Sequence, residues 1–368
     1  MDRELDLSAR CAPWAAWAEE AAVGQSAHEA GRDRPWPVLH FDDVSAIPFL
    51  QDIAGVELYQ LRARLRAIDG DAYAATCDSV AGYAPYNRDY LGLESPTFIH
   101  AEAVGTACEI GLACQHGQAF EQLADMTRAA GGLSVHPYMG SLPAWDFTRA
   151  LGEATGLPVR CVGPPPPMTS YANHKGHITR ASLALLDDGV LGGAPVVDTV
   201  AACTPEALAR ALVDLAQRHP KVALKMTRCA SAMGNGLYTS EAVLRLTPET
   251  LRELVDDFLV AKEWVRGEEV LALAWEDAWS SPSTQLWIPS PSTGAPVVEG
   301  VYEQLLQGEE QVFLGSVPSR LGEGWDGRLR RASVRLASLF QRLGYRGRCS
   351  FDFILVDDRA HVVECNGR

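Results

Sequence analysis

Ser350-Phe-Asp-Phe-Ile-Leu-Val356, then Asp357-Asp-Arg359, then Ala360-His-Val-Val-Glu-Cys-Asn-Gly-Arg368 is the stretch whose reading decides this chain. Two runs rich in β-branched and aromatic residues flank a polar turn, the pattern of a β-hairpin. A three-residue turn over 357–359 sets Val356 against Ala360 and Asp352 directly opposite Glu364. The two-residue period then puts Asn366 on the face that carries Glu364. Like charges opposite one another destabilise a sheet, so the pair calls for a positive partner. Hard oxygen ligands of this kind suit Mg²⁺, which takes one or two carboxylates plus substrate phosphates. The alternative is an exposed hairpin whose acids are unrelated.

Working outward, the 368 residues suffice for two or three domains, each with its own core. A net charge of −15 argues against a nucleic-acid backbone or an anionic membrane as partner. It leaves ATP open, because a local group of Lys and Arg can hold phosphates inside an acidic protein. Nine cysteines, an odd count without CxxC pairs or zinc spacing, fit a reducing compartment better than a disulfide framework. Met1-Asp-Arg-Glu-Leu-Asp lacks a basic segment leading into an apolar run. No stretch reaches the roughly 18 apolar residues of a membrane span. The expectation is a cytoplasmic multidomain protein.

Residues 1–160 alternate helix-like and strand-like pieces, as in an α/β layer domain. Helical spacing over 119–130 stops at Gly131-Gly132, and spacing over 145–155 stops at Gly156, before the strand candidate 157–162. Gly163 and Pro164 to Pro167 mark a linker. Beyond it, Thr204-Pro-Glu and Thr247-Pro-Glu each open an amphipathic helix, carrying Leu208, Leu212 and Leu215 in the first and Leu251, Leu254, Val255 and Phe258 in the second. Residues 221–226 form a strand, 261–265 a second, Arg266-Gly267 a turn and 268–274 the returning strand. A helix over 329–343, capped by Gly344, leads to the terminal hairpin.

Three pieces then combine. Lys225 ends an apolar strand and precedes a loop with Ser231, Gly234, Asn235 and Gly236, small residues that let backbone N–H groups approach phosphates. Glu263-Trp264-Val265, followed by Glu269, offers an edge for a purine and a carboxylate for ribose hydroxyls. Each is weak alone, since glycine turns after strands are common. Together with the hairpin, and in this order, they resemble the ATP-grasp superfamily over about residues 170–368. The matching residues are Lys175 in Asn173-His-Lys-Gly, Lys225, Gly234, Gly236, Glu263, Trp264, Val265 and Glu269, then Asp352, Glu364, Asn366 and Arg368. The junction from Gly156 through the proline run to Asn173-His-Lys-Gly is similar to that of pheganomycin-type peptide ligases of natural-product pathways.

The resemblance implies an α/β protein, α+β in the nucleotide lobe. Its parts would be a pre-ATP-grasp domain over 1–163, a linker and small lobe over 164–245, and a C-terminal lobe over 246–368 that ends short of the family's usual terminus. It implies ATP and Mg²⁺, one or two ions with Mn²⁺ as a substitute, and small-molecule partners: a carboxylate and an amine, an amino acid or short peptide, with a homodimer as an option. Metal would fall to Asp352, Glu364 and Asn366, and phosphates to Lys175, Lys225 and the loop 231–236. The transferring phosphoryl or the oxyanion would fall to Arg368 and Arg348. The implied reaction joins carboxylate to amine through an acyl phosphate shielded from water, with ADP and phosphate released. Glu364→Ala should then abolish ATP turnover with little loss of fold. Glu299, Glu303 and Gln304 are substrate-side candidates by position. The rival reading is an ATP-binding relative without ligase activity. A kinase is disfavoured, since the Gly-rich loop follows Lys225 and no His-Arg-Asp segment exists. His174 and His177 read as loop-surface residues, and Trp275, Trp279 and Trp287 as packing.

Overall fold

A computed structural model describes residues 35–48, 53–186, 188–229, 233–308 and 312–368. Ser231 and the N-terminal Met1 segment lie outside the described residues.

The first sheet holds β1 (Val38–Phe41), β2 (Ala72–Ala75), β3 (Thr97–His100), β4 (Leu133–Pro137) and β5 (Val159–Cys161). All its pairings are parallel, in the order β3-β2-β1-β4-β5. Val38-Leu-His-Phe41 is buried throughout, as expected of a parallel strand covered on both faces. Helices Gly117–Ala130 and Leu142–Thr155 end at Gly131 and Gly156, with φ of 75° and 66°, where a Cβ would be strained. The strand order reverses direction between β1 and β4, and the crevice beyond the carboxyl ends there is where open parallel sheets receive ligands. The proline run is not an open linker. Pro166 begins a helix, Pro166–Ala172, because a first-turn proline lacks only an N–H that would be unpaired anyway.

The second sheet is antiparallel and comprises β6 (Thr199–Ala202), β7 (Lys221–Met226), β8 (Asn235–Thr239) and β9 (Val270–Ala274), ordered β6-β9-β7-β8. Thr204 and Thr247 cap helices Pro205–Ala216 and Pro248–Ala261, each hydroxyl accepting from the N–H three residues on. Leu208, Leu212, Leu215, Val255 and Phe258 pack beneath the sheet. The strand expected at 261–265 is absent. Trp264 N–H donates to the Leu259 carbonyl at 2.9 Å, closing the helix end, and Glu263 takes φ 51° as the chain turns away. Because β9 pairs with both β6 and β7, the change of sheet falls between Ala274 and Pro282 rather than near residue 245.

The third sheet is also antiparallel: β10 (Pro282–Ile288), β11 (Val297–Gln307), β12 (Val312–Pro318), β13 (Gly347–Val356) and β14 (Arg359–Gly367), ordered β12-β11-β10-β13-β14. Helix Glu323–Arg342, which begins before the expected 329, lays Leu329, Leu336 and Phe340 against it. The terminal hairpin turns on two residues, not three, pairing Val356 with Arg359 and setting Asp357 at φ 52°. A bulge between Asp352 and Phe353 adds one residue on β14, so Phe353 meets Val362 while Asp352 still meets Glu364. Two departures from the expected register cancel at the pair that matters. Among the described residues, no helix is long and apolar enough to cross a membrane, and the described cysteines are unpaired.

Candidate active site

On β13 and β14 the two-residue period brings Asp352, Glu364 and Asn366 to one face. Asp352 accepts from Ser283 Oγ on β10 at 2.7 Å and from Asn366 Nδ2 at 2.9 Å. Two lysines meet this face from the other side. Lys175, at the start of helix Lys175–Leu185, sets Nζ 3.1 Å from Glu364 Oε2 and donates to the Cys229 carbonyl at 2.8 Å. Lys225, on β7, sets Nζ 3.9 Å from the same oxygen.

These charges shape one another. Burial and the charge of Glu364 push the Asp352 carboxyl up to about 6. Burial acts on Glu364 in the same sense, but Lys175 and Lys225 outweigh it and hold that carboxyl below its ordinary range. Burial opposes the charge on Lys175, yet Glu364 and Cys229 push its ammonium up to about 12. Lys225 is lowered, by burial first, with Lys175 adding to the effect. One carboxylate is thus matched by lysine, and the other is ionised only at a cost. Among the described residues no three His, Cys, Asp or Glu side chains form a metal cluster. The third member of this set is an amide, so the donors remain two carboxylates and one amide, hard groups that fit a small divalent cation.

Two cavities meet here, sharing Lys175, Cys229 and Glu364. The first, about 280 Å³, runs between the two antiparallel sheets under the segment that carries the chain from β9 to β10, with Trp275, Glu276, Asp277 and Ala278 in its wall. Leu271, Leu273, Phe353 and Val196 give it apolar surface, Glu276, Asp277, Asp352 and Glu364 stand with the two lysines as its charged part, and Gln304 reaches it. The second, about 340 Å³, runs from Asn366 and Arg368 to the loops that follow β1 and β4. Arg368 lies over the Tyr138 ring at 4.5 Å, and its N–H donates to the Tyr345 hydroxyl at 2.9 Å.

Other expected residues lie elsewhere. Glu263, Trp264 and Val265 sit at the exposed helix exit outside both cavities, with the Trp264 indole donating to the Glu268 carbonyl. Glu269 pairs with Arg180 at 2.7 Å. Arg348 turns to Glu299 at 3.3 Å and stands over Trp287, away from both cavities. Glu303 accepts from Ser280 and from Ser281 N–H, bracing the start of β10. Gly234 and Gly236 are small for packing: a Cβ would meet Cys229 Sγ at 2.4 Å in the first and Phe258 at 2.7 Å in the second. His174 and His177 belong to a helix start, with His174 Nδ1 accepting from His177 N–H. Trp275, expected as packing, lines the first cavity, whereas Trp279 packs on Trp325. The wall 275–278, Ser283 and Arg228 were missed. The only local signal for the first was a polar break, Trp-Glu-Asp, between two apolar strands.

No family model matches the sequence, and no curated protein matches it. Solved structures do match. The biotin carboxylase domain of Hydrogenobacter thermophilus 2-oxoglutarate carboxylase, in complex with MgADP, ADP and bicarbonate, matches with a TM-score of 0.54 and 16% identity, covering 90% of this chain and 64% of that one. Campylobacter jejuni biotin carboxylase matches with a TM-score of 0.54 and 15% identity, covering 90% and 65%. The ADP complex of purK, an N5-carboxyaminoimidazole ribonucleotide synthetase, matches with a TM-score of 0.50 and 15% identity, covering 90% and 71%. The chain therefore spans less than two thirds of either carboxylase chain. At such identities the likeness speaks for architecture alone: a parallel-sheet domain followed by two antiparallel sheets in the ATP-grasp fold.

Proposed function

We propose that this protein is an ATP-dependent carboxylate–amine ligase that works through an acyl phosphate. One observation carries the reading: Lys175 and Lys225 converge on Glu364, beside Asp352 and Asn366, where a cavity between the two antiparallel sheets meets a second cavity reaching the parallel sheet. The nucleotide base would lie in the first cavity against 275–278, a reassignment from Glu263-Trp264-Val265. Its phosphates would lie at the two lysines, and the acid and amine would enter through the second cavity. Asp352, Glu364 and Asn366 would hold Mg²⁺, which would supply positive charge to offset that of the phosphates. Asp352 is the group that gains most, since its ionisation is now opposed by burial and by Glu364.

The chain's own residues do the rest by position and charge. Lys175 is pinned by Glu364 and the Cys229 carbonyl, so its ammonium is oriented before any ligand arrives. Arg368 borders the second cavity beside Asn366, where charge develops on a reacting carboxylate. Leu271, Leu273 and Phe353 in the first cavity would limit the water beside the phosphates, which matters because a hydrolysed acyl phosphate yields no amide. The narrower likeness to pheganomycin-type ligases makes short peptides the first amines to try. ATP, Mg²⁺, a panel of acids and a panel of amino acids and peptides, followed for ADP, test the proposal. ADP release that requires both an acid and an amine is expected. ATP binding without substrate-stimulated ADP release would favour the rival, a nucleotide-binding protein that does not ligate.

A further inference from the structure

The second cavity differs from the first in its charge, four acidic side chains lining the first and one the second, and the difference constrains the acid it takes. Its body is apolar, with Ile47, Pro48, Met139, Leu142 and Pro143 in the wall. Its charge is cationic. Arg228 and Arg368 both line it, and neither guanidinium makes an ion pair with a described residue. Helix Leu142–Thr155 begins at its edge, presenting the positive end of a fourteen-residue helix. The cap of that helix, Ser141, is 4% exposed and lines the cavity. Its hydroxyl accepts no bond from the helix and has no partner among the described residues. A buried hydroxyl of this kind is ordinarily paired. Glu364 is the single acidic side chain lining the cavity among the described residues, and Lys175 is already paired with it.

We infer that this cavity takes an apolar carboxylic acid without a free α-ammonium: an amino acid or peptide C-terminus whose nitrogen is acylated. The inference rests on the ligase reading and deepens it by naming the donor. A carboxylate finds two guanidiniums. An apolar side chain finds the wall. An amide at the α-nitrogen finds a serine hydroxyl. A free ammonium would instead sit beside a helix N-terminus and two arginines with no unpaired acidic side chain to receive it, and a desolvated charge left without a partner is strongly disfavoured. In the reaction, the carboxylate oxygen takes the γ-phosphoryl of ATP and ADP departs. The amine nitrogen then attacks the acyl carbon, phosphate leaves, and the nitrogen loses a proton to solvent.

The test uses the full chain with MgADP and ligand-observed NMR, comparing N-acetyl-leucine, leucine and N-acetyl-aspartate. Parallel turnover uses MgATP with hydroxylamine, which converts any acyl phosphate to a hydroxamate without knowledge of the natural amine. N-acetyl-leucine should bind about tenfold or more tighter than either competitor. Arg228→Ala, at an exposed position, should weaken it by about tenfold while leaving ADP affinity unchanged. Leucine binding as well as N-acetyl-leucine, or no acid binding at all, overturns the inference. Hydroxamate formed from free leucine and not from its N-acetyl form does so too, while leaving the ligase standing. Binding of N-acetyl-leucine with no hydroxamate supports the cavity assignment and retires the ligase instead.

Discussion

Glu364 is held by two ammonium groups, and that changes what its removal should do. The sequence alone gives an expectation of lost turnover on an intact fold. Lys175, however, is 4% exposed, and Glu364 is its only acidic ion-pair partner among the described residues. Removing one partner of a buried pair leaves the other charge uncompensated, at a cost of about 3 kcal/mol. Glu364→Ala should therefore abolish turnover and also lower stability by that order, whereas Glu364→Ala with Lys175→Met should recover most of the stability and none of the turnover. Urea denaturation with an ADP assay reads both. Asp352 has the opposite sign. Its carboxyl is raised to about 6 by burial and by Glu364, against an ordinary 3.8. A group raised on folding contributes stability that is complete below its unfolded value and is lost as pH rises through the folded value. Asp352→Asn should then raise the Tm at pH 7.5 by about 2–4 °C, with the gain vanishing below about pH 4. It should also eliminate Mg²⁺-dependent turnover. A variant less stable than the parent at pH 7.5 would mean that Asp352 is not ionised at a cost.

At the scale of elements, local periodicity was legible and pairing was not. Thr204 and Thr247 announced their helices because a cap and a proline in the first turn have purely local causes. Lys221–Met226 was read to the residue as a strand. The 261–265 segment failed because its apolar residues suit a strand as well as a helix exit, and the deciding bond, Trp264 N–H to Leu259 carbonyl, belongs to the preceding helix. The hairpin gave the right pair from a wrong turn, since neither the two-residue turn nor the bulge leaves a mark in composition. Gly234 and Gly236 looked like phosphate-loop residues, yet the structure gives Gly236 a packing reason for its size. Gly236→Ala would drive a Cβ to 2.7 Å from the Phe258 ring, costing about 1–3 kcal/mol by overpacking. The expected outcome is a lower urea midpoint with a nearly unchanged KM for ATP. A raised KM at unchanged stability would return Gly236 to the phosphate loop.

At the scale of the whole molecule, the site exists only because three separately cored sheets converge. Asp352 and Glu364 come from the third sheet, Lys225 from the second, and the second cavity needs the loops after β1 and β4 of the first. The terminal hairpin and the lysines could be read as parts, but which segment walls the first cavity depends on where the chain changes sheets. That point is fixed by β9 pairing with β6 and β7, a non-local fact. The segment 275–278 is held at both ends, by Trp275 N–H to the Lys221 carbonyl at 3.0 Å and by Trp279 N–H to the Leu355 carbonyl at 3.1 Å. It therefore spans the second and third sheets, and a nucleotide lodged beneath it would tie them together. Binding to the folded state alone at a hundredfold excess over Kd adds about 2.7 kcal/mol, so MgADP should raise the Tm by several degrees. Amide exchange locates the contact: with MgADP, protection should rise at 275–278, along β7 and at the end of β14, and stay unchanged at 263–268. Protection confined to 263–268 would return the base to the exposed helix exit and remove the first cavity from the mechanism.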